Sequence, residues 1–127
     1  MRIYTSYIAK TKQVIEQGKI PISIVRLPQH WMTMQNIPEL SPTKELLNGF
    51  KYGNISEEEF TTKFDNYLSN ISPSNIVGQL EAISMLQGGK DIVLVCYEKT
   101  GDFCHRHIIS DWLTTNTDYN IEELKHN

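Results

Sequence analysis

Within the eleven residues from Cys96 to Arg106 stand two cysteines, a glutamate, a histidine and an arginine. Each type carries a distinct chemistry. A cysteine reacts as its thiolate, and a helix N-terminus or a nearby cation favours that form. A glutamate or histidine within reach of a moving proton serves general acid–base catalysis. A guanidinium presents a planar fork to phosphate or carboxylate. On these grounds Cys104, close to Arg106 and Lys99, is the candidate nucleophile, and Glu98 and His105 are the candidate acid–base groups. Arg106 is the candidate anion fork, and Cys96 ends an apolar run and reads first as packing. Plainer readings stand beside these. Cys104 could be a small buried residue, His105 a hydrogen-bonded structural histidine, and Arg106 a partner of Glu98 or Asp102.

Two sharper motifs fail on spacing. Cys96, Cys104, His105 and His107 are all zinc-ligand types, yet they match no usual zinc knuckle. Adjacent side chains on a helix also diverge by about 100°, so Cys104 and His105 do not converge. No metal and no cofactor is expected. A cysteine-phosphatase loop is disfavoured as well, because Asp102 stands where Cys96 would need an arginine and Arg106 follows too closely on Cys104.

The elements around this segment set its geometry. Ile92–Cys96 (IVLVC) is apolar at every position, the pattern of a central strand covered on both faces. A loop from Tyr97 to Phe103 leads into a helix over about Cys104 to Thr115. At about 100° per residue, Ile108, Ile109, Trp112 and Leu113 form one buried stripe. His105 falls in the middle of that stripe at the top of the helix, Arg106 falls on its flank, and His107 falls on the solvent side. Ligands of open α/β sheets sit beyond the carboxyl ends of the strands, where a helix N-terminus favours an anion.

Elsewhere, Ile3–Ala9 and Pro21–Leu27 read as strands from their β-branched and aromatic residues, with a short helix over Lys10–Gln17 between them. Residues 28–42 hold three prolines and no period, and are expected to form a long loop anchored by Trp31 or Ile37. Thr43–Tyr52 predicts a short helix. Ser56 opens the strongest one, with Glu59 completing a capping-box pattern and Phe60, Phe64, Tyr67, Leu68 and Ile71 as its buried stripe. Ser72-Pro73 starts another, with Ile76, Val77, Leu80, Ala82, Ile83 and Leu86 on its core face and Gly88-Gly89 as its stop. Residues 119–124 read as a short strand or turn. Strands alternating with helices predict an α/β fold, a single domain over 1–127 with a small, mainly parallel sheet flanked by helices.

The 127 residues carry 12 basic and 15 acidic side chains, a balance that gives no support to a basic nucleic-acid surface. No apolar run approaches a membrane span, and the first residues lack the pattern of a signal peptide. The expectation is a cytoplasmic protein without membrane partners. Two cysteines are too few for a secreted disulfide scaffold, and in a reducing cytosol a bridge between them is not expected to persist.

The segment Leu94-Val95-Cys96-Tyr97-Glu98-Lys99, followed by Phe103-Cys104-His105-Arg106-His107, resembles the C-terminal signature of the domain of unknown function 488 (DUF488) family. That signature is an apolar strand, a cysteine, a glutamate and a short loop, then Cys-His-Arg opening a helix. Tyr4-Thr5-Ser6-Tyr7 and the strand ending in Val25-Arg26 resemble the family too, so the likeness covers nearly the whole chain. It departs at Ile24, where many members carry an aspartate. The resemblance implies a small cytoplasmic α/β domain whose functional face holds Cys96, Glu98, Cys104, His105 and Arg106. Arg26, Tyr4 and Ser6 would approach the same crevice. It implies no particular reaction.

Two readings follow. In the first, a small anionic ligand, a nucleotide or another phosphorylated molecule, is held by Arg106, Arg26 and the helix N-terminus, with Cys104, His105 and Glu98 available for catalysis. In the alternative, the protein is a non-catalytic module for a protein or, less favoured, a nucleic acid, bound through the 28–42 loop with His30 and Trp31. Cys-His-Arg is then a structural latch.

Overall fold

The run Ile92–Cys96 becomes β4, the middle strand of a five-stranded sheet, and all five of its residues are buried. The structure is a computed structural model that describes residues 1–97 and 103–126. Around β4 are ordered β1 (Ile3–Tyr7), β2 (Ile20–Ser23), β3 (Gln35–Asn36) and β5 (Glu122–Glu123) in the sequence β3-β2-β4-β1-β5. Every pairing described is parallel. The chain is thus a small α/β domain, as the alternation of strand and helix patterns predicts.

The helices are α1 (Thr11–Glu16), α2 (Lys44–Lys51), α3 (Glu57–Leu68), α4 (Pro73–Leu86) and α5 (His105–Asn116). Alternation along β4 divides the core between two faces. Ile92, Leu94 and Cys96 join Phe60, Phe64, Leu68, Ile76, Leu80, Ile109 and Leu113 in the larger cluster. Val93 and Val95 join Ile8, Val14, Val25 and Leu124 in the smaller one. Among the described residues no helix is long and apolar enough to cross a membrane.

The strand after Gly18 is shorter than its composition suggests. Regular pairing stops at Ser23, although Ile24 N–H still donates to the Val95 carbonyl at 3.0 Å. From there a side chain stands in for a backbone partner. Asn36 accepts from Val25 N–H at 3.2 Å and from Ser23 Oγ at 2.6 Å, and its Nδ2 donates to the Val25 carbonyl at 3.0 Å. Residues 28–42 are therefore not wholly irregular, since they contain β3 and a turn of 3-10 helix over Pro38–Leu40. Two residues of strand carry no readable period. The anchor of this segment is Ile37, which is buried, whereas Trp31 is 56% exposed.

In α4 the sequence expectation needs two corrections, at Ala82, which is exposed, and at Leu86. Leu86 lies on the solvent side and is 86% exposed, while Ile76, Leu80 and Ser84 form the buried ridge at intervals of four. Ser84 takes the inward position because its hydroxyl donates to the Lys90 carbonyl at 2.6 Å. That bond closes the turn in which Gly88 and Gly89 both adopt φ +83°, a region that favours glycine.

Helix α3 begins as its residues predict, with Ser56 Oγ accepting from Glu59 N–H at 3.1 Å. The Glu59 carboxylate turns instead to Lys63, 3.0 Å away. Ser56→Ala should lower the stability by about 1 kcal/mol, the usual worth of such a cap. A denaturation midpoint unchanged from wild type would show that the cap contributes nothing.

Candidate functional site

The carboxyl ends of the three longest strands meet along one edge of the sheet. Tyr7 of β1 stands opposite Cys96 of β4, and Ser23 of β2 stands opposite Val95. Helix α5 starts at this edge, with Cys104 in extended conformation as its N-cap. Polar side chains belonging to β1, β4, α5 and β5 converge there.

Arg106 is the centre of the cluster and is 0% exposed. Its Nε donates to Glu123 Oε1 at 3.0 Å and its Nη2 to Glu123 Oε2 at 2.9 Å, a bidentate pair. Its Nη1 donates to Cys96 Sγ at 3.1 Å. The guanidinium carbon lies 5.8 Å from the centre of the Tyr7 ring. Glu123 also accepts from Thr5 Oγ1 at 2.6 Å. A charge so deeply buried persists only with such partners. The fork that a ligand anion would occupy is filled by the chain's own carboxylate, and an incoming anion reaches it only by displacing Glu123.

The two cysteine sulfurs meet, with the Cα atoms 7.4 Å apart. That separation exceeds the roughly 4.4–6.8 Å usual for a disulfide, so the structure brings the sulfurs into contact without fixing a bridge between them. The contact follows from placing one cysteine at the end of β4 and the other at the cap of α5, directly above it. Cys96 is 0% exposed and Cys104 is 3% exposed.

His105 points inward, as the helical wheel predicts, and packs edge-on against Phe64 at 5.9 Å between ring centres. Its Nε2 lies 2.6 Å from the Ile24 carbonyl oxygen. A carbonyl only accepts, so this nitrogen carries the proton. Burial pushes the imidazole pKa down to about 4, and the nearby Arg106 charge adds to the effect, against the opposing pull of the Ile24 carbonyl. At neutral pH His105 is an uncharged donor that joins α5 to the end of β2. His107, by contrast, lies on the exposed side.

The other expected site residues are not all brought together. Arg26, half-buried just beyond β2, donates through Nε to the Pro42 carbonyl at 3.1 Å. Tyr4 and Ser6 share the face of β1 opposite to that of Cys96 and Arg106, because successive strand residues alternate. Tyr4 packs with the smaller core cluster, with Lys19 Nζ 5.7 Å from its ring centre. Ser6 is buried, with Oγ 2.8 Å from Nε2 of His126. Glu98, Lys99 and Asp102 lie outside the described residues.

Three residues in the cluster are not among the expected site residues, namely Thr5, Tyr7 and Glu123. The period of two in β1 was a usable signal for Thr5 and Tyr7, since it puts both on the face of Cys96 once the pairing is known. Glu123 had no local signal, because its partner Arg106 lies 17 residues earlier.

The family model DUF488-N3a, described as the active DUF488-N3 subclade, matches residues 4–117. No curated protein and no solved structure matches the chain. The matched segment runs from within β1 to the end of α5 and stops before Glu123, so the carboxylate that pairs with Arg106 lies beyond it.

Proposed function

This chain belongs to the DUF488 family, and on that footing we propose that it binds a small anionic ligand at the strand-end crevice and acts on it through a Cys96 thiolate. The description of its subclade as active supports chemistry over binding alone. The observation that carries the reading is the 3.1 Å contact from Arg106 Nη1 to Cys96 Sγ. A guanidinium donor favours the thiolate, and so does the positive end of α5, whose cap is Cys104. Burial opposes both by disfavouring a charged sulfur. Arg106 stands against Cys96, so Cys96 takes the nucleophilic role and Cys104 is the second thiol.

The remaining roles divide accordingly. His105, neutral and bound to a main-chain carbonyl, positions the end of β2 and does not shuttle protons. Glu98, two residues beyond Cys96, is the acid–base group in this reading. Arg26 and the N-terminus of α5 supply the positive potential for a phosphate-bearing ligand. The burial of both sulfurs favours a small ligand over a macromolecule.

A titration of thiolate absorbance in the reduced protein tests the assignment. One thiol should ionise ahead of the other. That step should vanish in Cys96→Ser and survive in Cys104→Ser. Two thiols ionising together overturn the reading. The ligand half is tested by thermal shift with adenosine monophosphate, glucose 6-phosphate and inorganic phosphate. A ligand at a hundredfold excess over its Kd should stabilise by about 2.7 kcal/mol. Arg26→Ala should abolish the shift, and a panel without any shift counts against an anion site.

One set of contacts favours the alternative for part of the motif. His105 ties α5 to Ile24 and Arg106 ties it to Glu123, so both hold remote segments in place. Such a latch is compatible with chemistry at Cys96. A module for a macromolecule would instead present the exposed Leu27, Trp31 and Tyr97, and the Tyr97 hydroxyl donates to the Leu27 carbonyl at 3.4 Å.

A further inference from the structure

A groove of about 570 Å³ lies between α3 and α5, and none of the residues clustered around Arg106 lines it. Its apolar lining includes Leu68, Ile71, Ile108 and Trp112, and Asp65 and Asp111 stand among them. Thr115 and Asn116 border both this groove and a second hollow of about 590 Å³, which holds Val77, Glu81, Asp118 and Tyr119. We propose that the groove docks an arginine-bearing segment of a partner protein. The site is independent of the chemistry assigned to Cys96.

Charge complementarity identifies the occupant. Residues 64–89 and 108–124 supply all of the lining except Thr61, and neither stretch contains a lysine, arginine or histidine. Among the described residues Asp65, Glu81, Asp111 and Asp118 are in no salt bridge, although Glu81 accepts from the Tyr119 hydroxyl at 3.1 Å. His107, one turn before Asp111, is neutral at pH 7.5, its pKa lowered chiefly by burial. The last turns of α3 and α5 reach the groove at Leu68 and Thr115 and hold no basic residue, so the negative ends of two helix dipoles add to the carboxylates. The N-terminus of α4 reaches it at Pro73 and opposes them, with Asn75 N–H already donated to Ser72 Oγ at 3.2 Å.

The lining then selects among cations. Among the described residues no three carboxylate, histidine or cysteine groups converge as a metal site requires, so the negative charge is spread along the groove. An elongated organic cation matches that spread. Trp112 is half-buried, packing against the core and lining the groove at once. Indole is the strongest aromatic partner for a cation, and a planar guanidinium stacks on it where an ammonium does not. The arginine stem covers apolar surface, here Ile71 and Ile108, while its head reaches a carboxylate. The two hollows take more than one such side chain, and one stretch of polypeptide delivers them together.

The test uses the full chain and fluorescein-labelled twelve-residue peptides in which arginines stand two, three or four positions apart among alanines. Binding is read by anisotropy at pH 7.5 and physiological salt. Asp65→Asn combined with Asp111→Asn should weaken the tightest peptide by about tenfold or more. Glu16→Gln combined with Glu45→Gln removes the same charge at exposed positions of α1 and α2 and should change the affinity by less than about twofold. Lysine in place of every arginine should weaken binding to wild type severalfold, a comparison that depends on no variant. In Trp31→Phe the remaining tryptophan is Trp112, and its emission should shift when the peptide binds. The proposal is overturned if no peptide binds, if the two double variants lose affinity equally, if lysine serves as well as arginine, or if the Trp112 emission does not move. Displacement of the peptide by an equal concentration of spermidine would show that the groove reads charge alone, and would overturn a protein segment as its occupant.

Discussion

Arg106→Met should destabilise the protein by about 3–5 kcal/mol, the usual cost of removing one partner from a buried ion pair. The guanidinium is wholly buried, and three of its nitrogens have partners in Glu123 and Cys96. Methionine keeps much of the volume without the charge. It takes the guanidinium away from the Glu123 carboxylate beside Thr5, and it takes the Arg106 donor away from Cys96 Sγ. The Glu123 side chain is 26% exposed, so water recovers part of the loss and the lower half of the range is expected. The pairing of Arg106→Met with Glu123→Leu should recover much of the stability, because the buried carboxylate is then removed along with the guanidinium. Urea denaturation of the three variants and wild type gives the double-mutant cycle. A single-variant loss below about 1 kcal/mol would show that the pair is not a latch. A double variant no more stable than Arg106→Met would show that packing, not charge, is at stake.

The same pair explains how far the sequence could be read. The helix stripe of α5 placed His105 inward and His107 outward, and both are found so, because an amphipathic period is a local property. The wheel put Arg106 on the flank, and its burial depends on Glu123, which the chain delivers only after α5 has ended. The apolar run of β4 announced a central strand, and Ser56 and Ser72 announced the helices that they cap. What the residues could not announce was pairing across the sheet. Thr5 and Tyr7 enter the cluster rather than Tyr4 and Ser6 because β1 lies in register beside β4, with Tyr7 opposite Cys96. The two-residue strands β3 and β5 are too short for any period, and their positions are set by Asn36 and by the Arg106–Glu123 pair. Leu86 misled because hydrophobicity alone does not reveal that Ser84 satisfies a carbonyl at the end of α4.

Stability should also fall as the medium is acidified from pH 7.5 to pH 5, and His105 should account for about 2 kcal/mol of the loss. The folded imidazole has its pKa pushed down to about 4, chiefly by burial, whereas an unfolded histidine protonates near pH 6.5. Between those values the unfolded chain binds a proton that the folded one refuses. The contribution of His105 is therefore intact above pH 6.5, declines as the pH falls through that value, and is exhausted near pH 4. The hydrogen bond to Ile24 is not the quantity at risk, since Nε2 donates in either charge state. The cost lies chiefly in holding a charged imidazole away from water, and the neighbouring Arg106 cation adds to it. His105→Gln keeps an amide N–H for the Ile24 carbonyl and has nothing to titrate. Its denaturation free energy should therefore depend on pH less steeply than that of wild type across this range. Parallel curves would mean that His105 protonates as readily folded as unfolded. An imidazole so exposed to protons would again be available for acid–base chemistry at the strand ends, and the assignment of that role to Glu98 would fall with it.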